Sequence, residues 1–369
     1  MSELRRDPFT QDWVAIAPGR RERPQQIPTP AGSAVRRPPA ADPACPFCPG
    51  REEATPPELW RLPASGDASS ASWRLRVVPN RYPVLAPAAR PARHHTTGLH
   101  TSAEGIGSHE VVIESPAHDW DLPDGDGDDA AVADVLRAYR ARGLALRDRR
   151  PGLVLPFRNH GAAAGTSLPH PHSQIVATPI VPARFRRLFD VARAYYDDHG
   201  SCLYVDHTVA ELADGERVIA TSGHVAALVP YAARTPYETW LVPRHHQASF
   251  ADAPDEDLEQ TAVLLRRTLG ALRDLLGDVP YNYAVISAPN GEETTAYFVW
   301  HLQIAPRLTE PAGFELGTGI TVNPVPPEQA AAHLRQALAA QPAPPAPQTT
   351  APWTSHRSQA WERPVGRQP

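Results

Sequence analysis

The densest polar cluster in the chain is Gly165-Thr-Ser-Leu-Pro-His-Pro-His-Ser-Gln-Ile175. His170 and His172 are separated by one residue, so on an extended strand both side chains point to the same face. Pro171 stiffens the backbone between them. The Gly-Thr-Ser run supplies backbone N–H groups and hydroxyls, which suit an anionic phosphate.

This spacing indicates different roles for the two histidines. One imidazole can hold a metal while the other attacks phosphorus, provided that the attacking ring is neutral and its second nitrogen is fixed by a backbone carbonyl. We expect the attack from His172. Gln174 shares the same face, and its amide can donate to a phosphoryl oxygen without titrating. The alternative is a pair of buried structural histidines that the backbone satisfies.

The segment Cys45-Pro-Phe-Cys48 supplies half of a zinc site, because its two-residue spacer lets both thiolates face one tetrahedral ion. The chain has no second Cys-x-x-Cys, so histidines must supply the other ligands. The best placed are His118 and His170, and His109 is the rival for the third position. The alternatives are a redox pair and two buried thiols. The redox alternative is weakened because no thioredoxin-like βαβ pattern surrounds the cysteines.

The order of short segments around these residues recurs later in the chain. Three pairs of segments match in the same order, namely 83–90 with 227–234, 110–118 with 238–246, and 172–175 with 301–304. Ordered matches at near-constant spacing indicate an internal duplication rather than chance similarity among short strands.

The duplication predicts a second metal position that has lost its ligands. The residues that align with the four candidate ligands are Cys202, Val205, His246 and Val299. Valine cannot bind a metal, so we expect no metal there, or a weakly bound one that recruits His207 or His224. His301, which aligns with His172, is expected to be structural or to face substrate.

The composition of the 369-residue chain excludes several functional classes. No segment approaches the roughly 18 unbroken apolar residues that cross a membrane. The net charge of −5 argues against a nucleic-acid partner, and the absence of lysine excludes Schiff-base chemistry and a phosphate-loop lysine. Three cysteines cannot form a disulfide framework, and the first eight residues contain no apolar stretch. We therefore expect a reducing, cytoplasmic compartment.

Predicted strands outnumber predicted helices, which favours an α+β fold with mostly antiparallel sheet flanked by helices. Hydrophobic periodicity predicts helices over 128–147, 182–198, 255–276 and 327–339. Strands are predicted over 74–78, 109–114, 152–158, 173–178, 217–220, 225–229, 237–242, 282–287 and 297–305. The proline-rich residues 24–43 are expected to form an extended excursion, and residues 341–369 a disordered tail.

The motif His170-Pro-His172-x-Gln174 resembles the active-site motif of galactose-1-phosphate uridylyltransferases, a family of the histidine-triad (HIT) superfamily. Further segments that carry the resemblance are Arg5 to Val14, Ala17 to Arg20, Val78 to Pro83, Phe157 to Gly161 and Ala312 to Glu315. The resemblance covers about residues 4–337. It implies two tandem HIT-like halves, 1–190 and 191–340, followed by a tail over 341–369.

The resemblance also implies an activity in galactose metabolism, with a nucleotide sugar and a sugar 1-phosphate as substrates. UDP-glucose and galactose 1-phosphate would give glucose 1-phosphate and UDP-galactose. His172 would attack the α-phosphorus, and Gln174 would stabilise the nucleotidyl-histidine. Hydrolytic relatives carry a third histidine at the Gln174 position, so its absence favours transfer. The implied substrate-binding residues are Arg20, Arg23, Asn80, Asn159, Gly165, Ser167 and Glu315.

The same resemblance implies a homodimer with one zinc ion in each chain, bound by Cys45, Cys48, His118 and His170. Four protein ligands close such a site to substrate, so the zinc would position His170 and not act as a Lewis acid. Two other functions stay open. One is an adenylyl or other nucleotidyl transferase or phosphorylase that uses a different nucleotide sugar. The other is a non-catalytic nucleotide-binding protein.

Overall fold

The computed structural model describes residues 2–22, 38–64, 72–90, 92–123, 129–147 and 152–342. Its strands are β1 (Glu3–Arg6), β2 (Trp13–Ile16), β3 (Trp60–Pro63), β4 (Trp73–Pro79), β5 (His94–Thr97), β6 (His100–Ala103), β7 (Ser108–Ile113), β8 (Leu153–His160), β9 (His172–Thr178), β10 (Val218–Ser222), β11 (Val225–Leu228), β12 (Thr239–Pro243), β13 (Tyr281–Ile286), β14 (His301–Pro306) and β15 (Thr321–Asn323). Its α-helices are α1 (Asp129–Arg147), α2 (Ala183–His199), α3 (Leu203–Asp214), α4 (Asp255–Leu276), α5 (Gly313–Thr318) and α6 (Pro327–Ala340).

One large sheet runs through both halves of the chain in the order β10-β11-β12-β14-β13-β8-β9-β7-β4-β3. All its neighbouring strands are antiparallel. Outward from the central β8–β13 pair, the strand order on one side is β8-β9-β7-β4-β3 and on the other β13-β14-β12-β11-β10. The two halves therefore build the same five-stranded unit within the described residues. The α+β class with a mostly antiparallel sheet is confirmed.

Helices α1 and α4 cover one face of this sheet. In α4, Leu258, Leu265 and Leu272 recur at helical spacing and pack into the main hydrophobic core with Ile175 of β9. Each fully buried leucine of this kind contributes about 1.5–3 kcal/mol. Because side chains alternate along a strand, the neighbours of Ile175 point to the opposite face. Helices α1 and α4 thus bury one face of the sheet, and Gln174 lies on the other face, part of which is covered by α2 and α3.

A smaller sheet joins the two ends of the described chain. The hairpin β1–β2 is extended by β15, which pairs in parallel with β2. Arg5 of β1 forms an ion pair with Glu328 of α6 at 2.8 Å. Helix α5 precedes β15, and a 3-10 turn over Pro18–Glu22 follows β2, so both segments flank this small sheet.

The predicted helices are present as α1, α2, α4 and α6. Helices α3 and α5, the strands of the small sheet, and the strands β3, β5 and β6 were not predicted. Residues 24–37 of the proline-rich excursion and 343–369 of the expected tail lie outside the described residues. No helix in the described part of the chain is long and apolar enough to span a lipid bilayer.

Candidate active site and metal centre

His172 begins β9 and lies opposite Ile113 of β7. Its Nδ1 is 2.8 Å from the carbonyl oxygen of His170, so Nδ1 carries the proton and donates to that oxygen. Nε2 then holds the lone pair, and it has no hydrogen-bond partner among the described residues. A neutral imidazole with one nitrogen fixed and the other free can act as a nucleophile.

Burial, and to a smaller extent a cation behind the sheet, disfavour the charged form of His172. Burial lowers the pKa of His172, and the nearby guanidinium of Arg158 lowers that pKa further. Arg158 of β8 donates to Asp121 at 2.6 Å and lies 3.4 Å from Glu114. Burial raises the pKa of the Glu114 carboxyl. This buried charge cluster lies behind His172, where a cation disfavours the imidazolium form.

The four predicted metal ligands meet in space. The ligand atoms of Cys45, Cys48, His118 and His170 lie within 4.8 Å of one another, and all four residues are buried. Cys48 Sγ is 3.3 Å from His118 Nδ1 and 3.7 Å from His170 Nδ1. His170 Nε2 donates to the carbonyl of Ser115 at 2.9 Å, which leaves its Nδ1 unprotonated. Two sulfurs and two imidazole nitrogens at these separations fit a tetrahedral ion, so the group can bind a metal.

The metal group is connected directly to His172. His170 contributes a ring nitrogen to the metal group, and its carbonyl oxygen accepts the hydrogen bond from His172. Phe47, between the two cysteines, meets the His170 and His172 rings edge-on, with centroid distances of 5.9 Å and 5.6 Å. A metal bound to His170 would therefore stabilise the backbone that orients His172.

A tight turn before His170 brings together predicted phosphate-binding residues. Gly165 has φ +94°, a left-handed conformation that residues with a side chain rarely adopt, and a Cβ there would lie 3.6 Å from Asn159 Nδ2. The Asn159 Oδ1 accepts a hydrogen bond from Asn282 Nδ2 at 2.8 Å, so the Asn159 amide hydrogens face Gly165. Ser167 follows on the exposed side of the turn. Phe157 pairs with Gln174, which places Asn159 toward His172.

Gln174 is in contact with a histidine that the sequence analysis considered only as a metal ligand. Gln174 Oε1 lies 2.7 Å from Nε2 of His109 on β7. His109 also holds the loop after β4. The Val84 N–H donates to His109 Nδ1 at 3.1 Å, and the Asn80 N–H donates to the His109 carbonyl at 2.8 Å. His109 is thus outside the metal group and inside the candidate active site, together with Asn80.

Two predicted substrate-binding residues lie elsewhere in the fold. Arg20 is in the 3-10 turn after β2, and Glu315 is in α5 before β15. Both therefore flank the small sheet. Glu315 Oε2 accepts the Ala312 N–H at 3.1 Å, which closes the first turn of its own short helix. Arg23 lies outside the described residues.

The second half holds a matching histidine in a different environment. His301 begins β14, and its Nδ1 donates to the Val299 carbonyl at 3.0 Å, as His172 does to His170. Its Nε2, however, is 3.1 Å from Gln303 Nε2, so the glutamine amide donates to it. The His301 ring is fully buried and stacks on Trp240 with a centroid distance of 4.7 Å.

Strand register corrects the alignment of the two halves by one residue. Gln174 pairs with Val111, and Gln303 pairs with Trp240. Val111 therefore corresponds to Trp240, so β7 and β12 are related by the same offset of 129 residues as His172 and His301. Within the strands, Glu110 therefore aligns with Thr239 and not with Glu238. The sequence match of 110–118 with 238–246 had the wrong register because short β segments look alike when shifted by one residue.

Known proteins match the whole described fold. A model of the N-terminal domain of galactose-1-phosphate uridyl transferase matches residues 1–182, and a model of its C-terminal domain matches residues 189–341. The chain belongs to the galactose-1-phosphate uridylyltransferase family. The resemblance carried by the His170-Pro-His172-x-Gln174 motif is confirmed.

Individual relatives of this family member differ in the reaction that their names describe. The chain is 35% identical over 339 residues to an ADP-glucose phosphorylase of Arabidopsis thaliana, covering 90% of this chain and 92% of that one. It is 30% identical to a galactose-1-phosphate uridylyltransferase of Thermotoga maritima, covering 91% and 98%. Family membership thus supports nucleotidyl transfer between sugar phosphates.

The solved structures that resemble this chain also include both a phosphorylase and a uridylyltransferase. A crystal structure of an Arabidopsis thaliana ADP-glucose phosphorylase with bound ADP-glucose superposes with a TM-score of 0.77 at 33% identity, covering 91% of this chain and 99% of that one. A structure of a uridylyltransferase superposes with a TM-score of 0.68 at 30% identity, covering 92% and 99%.

Proposed function

We propose that this protein transfers a nucleoside monophosphate group from a nucleoside diphosphate sugar through a covalent bond to His172. The observation that carries the proposal is the His172 ring itself. Its Nδ1 is fixed by the His170 carbonyl at 2.8 Å, so the lone pair is on Nε2. The Nε2 lone pair attacks the α-phosphorus, a P–N bond forms, and the P–O bond to the β-phosphate breaks. Sugar 1-phosphate leaves with that electron pair.

The second step reverses the first with another phosphate. An acceptor phosphate oxygen attacks the nucleotidyl-histidine, the P–N bond breaks, and the lone pair returns to His172 Nε2. Gln174 donates its amide N–H to the phosphoryl oxygens as charge develops on them. A glutamine carries no titrating proton to pass to water or to a leaving group, which favours transfer over hydrolysis.

The positions of several residues support a role in substrate binding. Asn80, Asn159, Gly165 and Ser167 surround the start of β9 and would bind the nucleotide and its phosphates. Arg20, Arg23 and Glu315 would complete the phosphate and hexose subsites. We also propose a homodimer, which is supported by the exposure of Phe314 at 53% and Leu316 at 77% beside Glu315.

Zinc is the proposed occupant of the metal group. A Cys2His2 donor set suits zinc, and four protein ligands leave no position for substrate. When bound, the ion supplies structural stabilisation. The described contacts of His170 then fix the carbonyl that holds His172 Nδ1. The two thiols require reducing conditions, which supports a cytoplasmic location. The matching five-strand units support the proposal that residues 1–190 and 191–340 arose by duplication.

Two donor–acceptor pairs fit this chemistry. The first is UDP-glucose with galactose 1-phosphate, the pair implied by the family name. The second is ADP-glucose with inorganic phosphate, which releases glucose 1-phosphate and ADP. A specific observation favours the second pair. Identity to the ADP-glucose phosphorylase is 35%, against 30% for the Thermotoga maritima uridylyltransferase.

Initial rates measured for both donors against both acceptors test the proposal. We expect parallel double-reciprocal lines, because sugar 1-phosphate leaves before the acceptor enters. The preferred donor decides between the two pairs. Intersecting lines would contradict the covalent route. No turnover with any of the four combinations would favour a non-catalytic nucleotide-binding protein.

A further inference from the structure

We propose that His109 is a positioning residue that sets the orientation of the Gln174 amide for phosphoryl transfer. The inference rests on the proposed function of His172. His109 lies on β7 two residue pairs along from Gln174, since His109 pairs with Val176 and Val111 with Gln174. Both side chains are on the face of the sheet away from α1 and α4.

The tautomer of His109 follows from its backbone contact. The Val84 N–H donates to His109 Nδ1 at 3.1 Å, so Nδ1 must be unprotonated. A neutral imidazole then carries its proton on Nε2. Of the two groups near that Nε2–H, Asn80 Nδ2 at 3.1 Å is itself a donor, so the proton goes to Gln174 Oε1 at the shorter distance of 2.7 Å.

This hydrogen bond gives the Gln174 amide a direction. With Oε1 bound to His109, the NH2 group is left to face the ligand. A reversed amide would present a carbonyl oxygen to anionic phosphoryl oxygens, which repel it. A glutamine alone does not select between these two orientations, because its amide ends have nearly the same shape. His109 selects the donating one.

The second half shows the consequence of a different neighbour. By the strand register, the counterpart of His109 is Glu238, which accepts hydrogen bonds from Trp240 and Arg234 and not from Gln303. The Gln303 Oε1 instead accepts from Arg184 at 3.0 Å, and its Nε2 lies 3.1 Å from His301 Nε2. In the second half, the NH2 group of Gln303 therefore points to the imidazole of its own His-x-Gln pair. In the first half, the amide oxygen of Gln174 points to His109 instead.

The test compares two substitutions of similar length. His109→Gln keeps an N–H donor near the position of Nε2, whereas His109→Met removes it. The measured quantity is the rate constant for forming the nucleotidyl-histidine after rapid mixing with the preferred donor. We expect His109→Met to slow this step by about 10- to 100-fold with little change in donor KM, and His109→Gln to recover most of the loss.

A double-mutant cycle with Gln174→Ala separates positioning from a structural effect. With no amide to orient, His109→Met should cost less than about twofold. An equal loss in both backgrounds, or no recovery by His109→Gln, would overturn the proposal. A wild-type protein that forms no adduct would instead refute the proposed function, so the two failures are distinguishable. Metal content and thermal unfolding of each variant verify the fold.

Discussion

The strands that begin at His172 and His301 carry the same His-x-Gln pair with the same Nδ1-to-carbonyl hydrogen bond. Their surroundings differ. His172 Nε2 has no partner in the described part of the chain, whereas His301 Nε2 accepts from the Gln303 amide. A duplicated local geometry is therefore not sufficient for a nucleophile. The position of the neighbouring amide decides whether the lone pair is available.

The regions around the two histidines also differ in polarity. Beside His172, two cysteines and two further histidines converge on one point. Beside His301, Phe9, Tyr204 and Trp240 pack together, with the Phe9 and Tyr204 rings stacked at 4.5 Å. Apolar aromatic packing needs no ion, so this part of the second half is an ordinary hydrophobic core. In the first half, polar side chains that can bind a metal are buried, and their burial costs free energy unless they have partners.

The largest difference between the halves is expected from paired asparagine substitutions. Asparagine can keep the donor that Nδ1 provides to the backbone carbonyl, and it removes Nε2. His172→Asn should lower turnover by more than about 10³-fold, because it removes the nucleophile. His301→Asn should leave turnover near the wild-type value. Steady-state rates with the preferred donor measure both, and equal losses would contradict the assignment of a single nucleophile.

The next largest effect is expected in stability, from the charges behind His172. Arg158→Met leaves Glu114 buried without its cation and should lower the free energy of unfolding by about 3–5 kcal/mol. Arg187→Met is the control, since Arg187 is 52% exposed and its ion-pair partner Asp12 is 40% exposed, and it should cost at most about 1 kcal/mol. Urea denaturation measures both. Similar values would show that the buried pair adds no special stabilisation.

Metal binding should also separate the halves. Cys48→Ser removes a ligand and should weaken zinc affinity by more than about 100-fold, since even residues outside the ligand set are worth 10–100-fold. Cys202→Ser is the matched substitution in the second half and should leave zinc content unchanged. Elemental analysis after competition with a chelator reads out both variants. Loss of zinc from the Cys202→Ser variant would contradict the account, because it would show that a zinc ligand lies in the second half.

The smallest effect is expected at Gln303. Gln303→Leu removes the amide that donates to His301 and should cost about 1 kcal/mol of stability. Turnover should change by less than about twofold, because His301 takes no part in the transfer. Thermal unfolding and initial rates check the two values. A large loss of turnover with normal stability would mean that the second half contributes to the reaction.

Local sequence patterns were sufficient for the main elements and for the metal group. Helix α4 was predictable because its leucines recur at helical spacing, and the Cys-x-x-Cys spacing indicated Cys45 and Cys48 as ligands. The strands β1, β2 and β15 have four residues or fewer and pair outside the large sheet. Such short strands carry too little periodicity to be recognised.

The role of His109 could not be predicted from local sequence. Its contact to Gln174 spans 65 positions and depends on the register between β7 and β9. A shift of one residue would turn His109 to the helix-covered face. The same dependence explains the one-residue error in the strand part of the match of 110–118 with 238–246, because hydrogen-bonded strand pairs define the offset there.

Peptide mapping by mass spectrometry tests the central claim most directly. The protein is mixed with UDP-glucose or ADP-glucose in the absence of acceptor, quenched and digested. A nucleoside monophosphate on the peptide that contains His172, and none on the peptide that contains His301, is the predicted result. A modified His301, or turnover of either donor with no modified peptide, would contradict the account.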